Sequence, residues 1–123
     1  MTPVEFTIKG QPPSKSNCYR VITINGHGSL AKSKKLVDYE KFFLLQIPPM
    51  YSGMMIEKTM RVEIDCYYKT MKPDLDNSAK TILDCLQKGR VIRNDNRVIE
   101  LMMRKYIDKI RPRAEIKIKV LGV

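Results

Sequence analysis

Four aspartates, Asp74, Asp76, Asp84 and Asp95, fall within one stretch, KPDLDNSAKTILDCLQKGRVIRNDN, of a chain that has only 13 acidic residues in all. Carboxylates gathered this way suit a hard cation: Mg²⁺ is held by few protein carboxylates, keeps several waters and bridges to a substrate phosphate. Such a cation activates water and neutralises phosphoryl oxygens, which is how metal-dependent nucleases hydrolyse phosphodiesters. Asp74 and Asp76 stand two apart where a strand gives way to a helix, and in extended chain that spacing turns both carboxylates to one side. On a helix advancing 100° per residue, Asp76, Lys80 and Asp84 share an arc of about 80°. A lysine able to stabilise developing charge therefore lies beside the acids. Whether Asp95, beyond the helix, meets the Asp74/Asp76 pair depends on how the chain returns to the sheet. The same residues also admit a structural reading, with Asp76 or Asp74 capping the helix, Lys80 and Asp84 as an ordinary i, i+4 pair, and Asp95 in a turn.

The charge balance weighs between these readings. With 23 Lys and Arg, a net charge of +10 and a pI near 9.7, the chain suits a polyanionic partner, nucleic acid first. Aspartates near the binding face of such a protein need a cation or a reaction to use them. Cys18, Cys66 and Cys85 form no C-x2-C pair and His27 is the single histidine, which excludes an ordinary Cys/His zinc site. At 123 residues the chain is expected to form one domain, 1–123. Neither a leader nor an apolar run of membrane-spanning length is evident, so no membrane association and a reducing cytoplasm are expected.

The elements that must position the acids read as follows. Val4, Phe6 and Ile8 alternate with polar neighbours as a strand closed by Gly10 and Pro12-Pro13. Residues 11–32 look irregular, with a short hairpin turned at Asn25-Gly26. Ser33 caps a helix through Ile47 that Pro48-Pro49 stop. Met60 to Tyr68 is a strand with a clean two-residue period, and Asp76 to Lys88 a helix with the apolar stripe Ala79, Ile82, Leu83 and Leu86, ended by Gly89. Val98 to Ile107 and Ala114 to Val120 are strands, expected to form a hairpin around Arg111-Pro112. The fold class is α+β: a mixed sheet of about four or more strands, with two main helices on one face.

The segment Asp74-Leu75-Asp76-Asn77-Ser78-Ala79-Lys80-Thr81-Ile82-Leu83-Asp84-Cys85-Leu86, followed by Val91 to Val98, carries the pattern D-L-D-N-x-x-K-x-x-x-D-x-L. With the Pro12-Pro13-Ser14 run after the first strand, it resembles the RusA-like Holliday junction resolvases. These are small dimeric Mg²⁺-dependent endonucleases of bacteria and their phages and prophages. The resemblance covers essentially the whole chain. It implies that Asp74, Asp76 and Asp95 bind Mg²⁺, with Mn²⁺ as a substitute, that Lys80 is the essential lysine, and that Asp84 is an additional acid with either a ligand or a helix-surface role. It further implies a homodimer that cuts a four-way DNA junction by paired hydrolysis in recombination and repair. Where some members carry an acidic pair this chain has Asn94-Asp95, and the basic run before the first aspartate is reduced to Lys69 and Lys72. Lys15, Arg20, Lys72, Arg93 and Arg97 are the phosphate contacts expected first, with Lys32, Lys34, Lys35, Arg104 and Lys105 behind them. A non-catalytic branched-DNA-binding module and a nuclease of other branched nucleic acids are the rival readings.

Overall fold

Buried residues alternate without a break with exposed ones along β1 (Val4–Lys9) and with half-buried ones along β4 (Met60–Tyr68). Met60, Val62, Ile64, Cys66 and Tyr68 are fully buried on one face of β4, and Val4, Phe6 and Ile8 continue that face on β1. The computed structural model describes residues 3–13, 19–24 and 26–122. After β1 come β2 (Tyr19–Ile24) and β3 (His27–Lys32), then α1 (Lys34–Gln46), β4, α2 (Leu75–Lys88), a 3-10 turn (Asp95–Arg97), β5 (Val98–Ile107) and β6 (Arg113–Val120). β2 and β3 form a separate two-stranded hairpin, and the remaining strands make a mixed sheet in the order β1-β6-β4-β5.

Both helices cover the apolar face of that sheet. Ser33 caps α1, its Oγ accepting from the Leu36 N–H at 3.3 Å. The helix presents Tyr39 and Phe43 to the core, where they meet Ile82, Cys85 and Leu86 of α2. Gly89 is the C-cap of α2, packed so closely that a Cβ would stand 2.2 Å from Ile47 Cδ1 and force that side chain to shift. Arg90 then adopts a positive φ of 61° and turns the chain back toward the sheet, where Ile92 pairs with Ile56 just ahead of β4.

The expected hairpin of β5 with β6 does not form, because β4 lies between them. β4, α2 and β5 are a β-α-β unit. A helical crossover makes its two strands parallel neighbours, and β4 pairs with β5 from Met60↔Val98 to Tyr68↔Ile107. β6 takes the other side of β4, antiparallel, and fills the slot beside β1. Burial separates the two strands accordingly: Ala114, Ile116 and Ile118 of β6 are buried, whereas β5 is an edge strand with much of its apolar surface in the open. No helix of the described residues is long and apolar enough to cross a membrane.

Candidate active site

The loop that leaves β4 carries the first aspartate of the motif. Tyr68 ends the strand inside the core, and its hydroxyl meets Ser78 Oγ at 2.6 Å with both side chains buried. Burial raises the Tyr68 phenol pKa, so it stays neutral and serves as a hydrogen-bonding tether. That bond fixes the first turn of α2 against the end of β4. The loop between them is held at two further points, by the Lys69 N–H on Gln11 Oε1 at 2.8 Å and by Lys105 Nζ on the Met71 carbonyl at 3.1 Å.

Asp74 is the N-cap of α2, in extended conformation, yet its carboxylate makes no capping hydrogen bond. Leu75 is already helical, so Asp76 sits in the first turn and not on the extended run that the i, i+2 argument assumed. The two acids thus stand at the helix start, as its N-cap and its second helical residue. Both carboxylates are exposed and both gain from the positive end of the peptide dipole. Beside Asp74 opens a groove of about 580 Å³, whose walls include Pro12, Pro13, Lys35, Lys69 and Lys72.

Along the same helix Lys80 pairs with Asp84 at 3.4 Å, with the lysine 75% exposed. The row from Asp76 through Lys80 to Asp84 is therefore present as expected. Asp95 is elsewhere. Its N–H donates to Gln87 Oε1 at 2.9 Å, near the far end of α2. The 3-10 turn that it opens leads into β5 beside Met60, the first residue of β4. A helix of this length spans about 20 Å, so α2 separates Asp95 from the Asp74/Asp76 pair within one chain. Among the described residues, no three Asp, Glu, His or Cys side chains gather closely enough to hold a metal ion.

The basic residues divide similarly. Lys72 lines the groove at Asp74, whereas Arg93 and Arg97 are exposed near Asp95, with Arg93 paired to Glu57. Arg20 lies on β2 opposite Ala31, and Lys15 is outside the described residues. Lys32 is bound to Glu40 at 3.0 Å, and Arg104 to Asp65 at 2.6 Å on the uncovered face of the sheet. On that same face Tyr67 stacks on Tyr106 at 4.8 Å with the Arg113 guanidinium 3.7 Å over its ring, while Tyr68 is core.

A family profile described as Endodeoxyribonuclease RusA matches residues 9–119, a span that holds every motif aspartate and Lys80. The chain belongs to the RusA family. A curated relative, "Crossover junction endodeoxyribonuclease RusA" of Aquifex aeolicus (strain VF5), is 29% identical over 120 residues, which cover 97% of this chain and 93% of the relative. In this RusA-family chain, sequence reasoning passed over three contributors to the site. Gln11 and Ser78 were missed because each acts through a single hydrogen bond to a distant segment. Lys69 was noted only as the remnant of a basic run, yet it lines the groove. The buried stripe of α2 runs through Ser78, Thr81, Ile82, Cys85 and Leu86, turned from the expected stripe because Tyr68 satisfies the Ser78 hydroxyl in the core.

Proposed function

We propose that this RusA-family protein is a Mg²⁺-dependent, structure-selective endodeoxyribonuclease that resolves Holliday junctions in DNA recombination and repair, acting as a homodimer. The observation that carries this reading is the exposed Asp74/Asp76 pair, with Asp74 uncommitted to its helix cap, at the mouth of a lysine-lined groove in a family of DNA endonucleases. Two carboxylates with open space around them fit a cation that keeps several waters. Asp95 cannot join them within one chain. In a two-fold dimer, Asp95 of the partner subunit can complete the set, and each site then draws on both protomers.

In that arrangement Asp74, Asp76 and the partner's Asp95 hold Mg²⁺, or Mn²⁺ in its place. When bound, the cation activates water and neutralises the phosphoryl oxygens. Lys80 stands one turn beyond Asp76 and reaches the phosphate to stabilise the charge that develops on its oxygens. Asp84, a further turn along, is paired with the Lys80 ammonium at 3.4 Å. Lys35, Lys69 and Lys72 grip the DNA backbone along the groove. A four-way junction has approximate two-fold symmetry, so two identical sites cut strands of like polarity in pairs. A DNA substrate accords with work in the cytoplasm of a bacterium, as a host or prophage product.

Cleavage of a synthetic four-way junction by the wild-type protein, with Mg²⁺ added and withheld, tests the reading. Paired cuts that require the cation support it. Binding without cutting at any Mg²⁺ concentration contradicts it, and equal cutting of flaps, forks and junctions contradicts the junction as substrate.

A further inference from the structure

The outer edge of β5 is the least protected apolar surface of the sheet. β5 is ten residues long and, among the described residues, pairs only with β4. Ile99, Leu101, Met102 and Tyr106 are all substantially exposed, with Leu101 at 45% and Met102 at 38%. An edge of this kind invites another strand unless charge, a bulge or a covering element blocks it. The one irregularity in the pairing of β5 with β4 lies at its beginning, where the register shifts between Met60 and Arg61. Glu100 to Ile107 then run regularly alongside β4.

We infer that a second copy of this chain docks on that edge, its β5 antiparallel to the first and centred on Met102, so that the two sheets become one of eight strands. This rests on the homodimer proposed above and names its interface. The strand selects its own register. A two-fold axis through an antiparallel pair keeps each face of the sheet on the same side, so residues of like face must meet. Centred on Met102, Glu100 meets the partner's Arg104, Arg104 meets the partner's Glu100, and Leu101 meets the partner's Met103. Glu100, Met102 and Arg104 share the uncovered face, opposite Arg61, Glu63 and Asp65 of β4. Sliding by one step to either side sets Val98 or Met102 against Arg104 and leaves Glu100 without a facing cation. Sliding further sets Glu100 or Arg104 against itself. Cross-strand pairs of opposite charge stabilise a sheet and like charges destabilise it.

An independent relationship agrees. The partner strand runs in the reverse direction, so its Asp95 arrives beside the Ile107 end of β5. Ile107 is in register with Tyr68, from which the chain leads to Asp74. The pairing that charge selects thus carries the partner's Asp95 toward the pair that it is needed to complete.

The test combines solution mass with a cysteine placed on the axis. Cys66 and Cys85 are fully buried, and Cys18 is replaced by Ser throughout. Across an antiparallel pair the facing Cα atoms stand about 4.5–5.5 Å apart, within disulfide reach. The Met102→Cys variant is expected to cross-link almost completely under mild oxidation, and Met50→Cys, at an exposed residue away from β5, to remain uncrosslinked. Met102→Lys is expected to weaken the dimer roughly a hundredfold in sedimentation equilibrium, with an unchanged circular dichroism spectrum. A dimeric wild type whose Met102→Cys variant does not cross-link overturns this interface and leaves the proposed activity standing. A wild type that is monomeric at concentrations where it makes paired cuts overturns the homodimer, and this interface with it.

Discussion

Gln87 Oε1 accepts the backbone N–H of Asp95 at 2.9 Å, which fastens Asp95 to the end of α2 opposite Asp74 and Asp76. Asp74, Asp76 and Asp95 are thereby divided between the two ends of one helix. On the proposed reading a single chain presents two half-sites. The Asp74 half carries the lysine-lined groove, and the Asp95 half carries Arg93 and Arg97.

Asp76→Asn is expected to abolish Mg²⁺-dependent nicking of a four-way junction, because it takes a carboxylate from the cation. Junction binding should be unchanged or tighter, since a negative charge is removed from a surface that meets a polyanion. Gel-shift and cleavage assays on one preparation check both halves of this expectation. Unchanged cleavage would remove Asp76 from the metal site.

Lys72→Ala should reduce affinity for DNA about equally across sequences. The log–log slope of binding against salt should become shallower by about 0.9, the loss of one phosphate contact. Lys32→Ala is the control, since that ammonium is already spent on Glu40. A salt titration in which both variants keep the wild-type slope would separate the groove from the DNA path.

Ser78→Ala leaves the Tyr68 hydroxyl buried without its partner. Destabilisation of about 1–3 kcal/mol is expected in denaturant unfolding. Because this bond seats the first turn of α2, kcat should fall more than KM rises. Ser78→Thr, which retains a hydroxyl, should recover part of the rate. A variant that loses stability while cutting at the wild-type rate would show that the tether does not position Asp76.

Glu40 joins β3 to α2, accepting from Lys32 and Lys88 while nearly buried. Burial pushes its carboxyl pKa up, but the hydrogen bonds from Lys88 and Lys32 outweigh that and hold it below the ordinary value. A carboxylate with a lowered folded-state pKa adds stability in full above its unfolded pKa, and loses it as pH falls through the folded value. Glu40→Gln should therefore cost about 2 kcal/mol near neutrality, with the gap from wild type closing in acid. Chemical denaturation at pH 7 and pH 3 checks the sign, and a gap that widens in acid would reverse it.

Much of this fold was legible in the sequence because its signals are local. The strict alternation from Met60 to Tyr68, the Ser33 cap, the Pro48-Pro49 stop and the Asn25-Gly26 step each specify an element from a few neighbouring residues, and the helices, strands and β2-β3 hairpin appear where those signals stand. Strand order was not legible. Arg111-Pro112 turns the chain in the manner of a hairpin, but the crossover through α2 had already claimed one side of β4 for β5. The position of Asp95 depended on that same crossover, together with one side-chain contact from Gln87. The acids and Lys80 could be named from spacing, whereas the separation of Asp95 from the pair required the path of the backbone through Gly89 and Arg90.

In the proposed enzyme each cutting site takes Asp74 and Asp76 from one subunit and Asp95 from the other. Mixing two inactive variants, Asp76→Asn and Asp95→Asn, and letting subunits exchange measures this directly. In the heterodimer one site carries both substitutions, while the other has Asp74 and Asp76 from the Asp95→Asn chain and an intact Asp95 from its partner. The mixture is expected to regain Mg²⁺-dependent nicking of a four-way junction, in one strand per heterodimer and without paired resolution. Subunits that exchange yet remain inactive would show that each site is built within a single chain, and would contradict that arrangement.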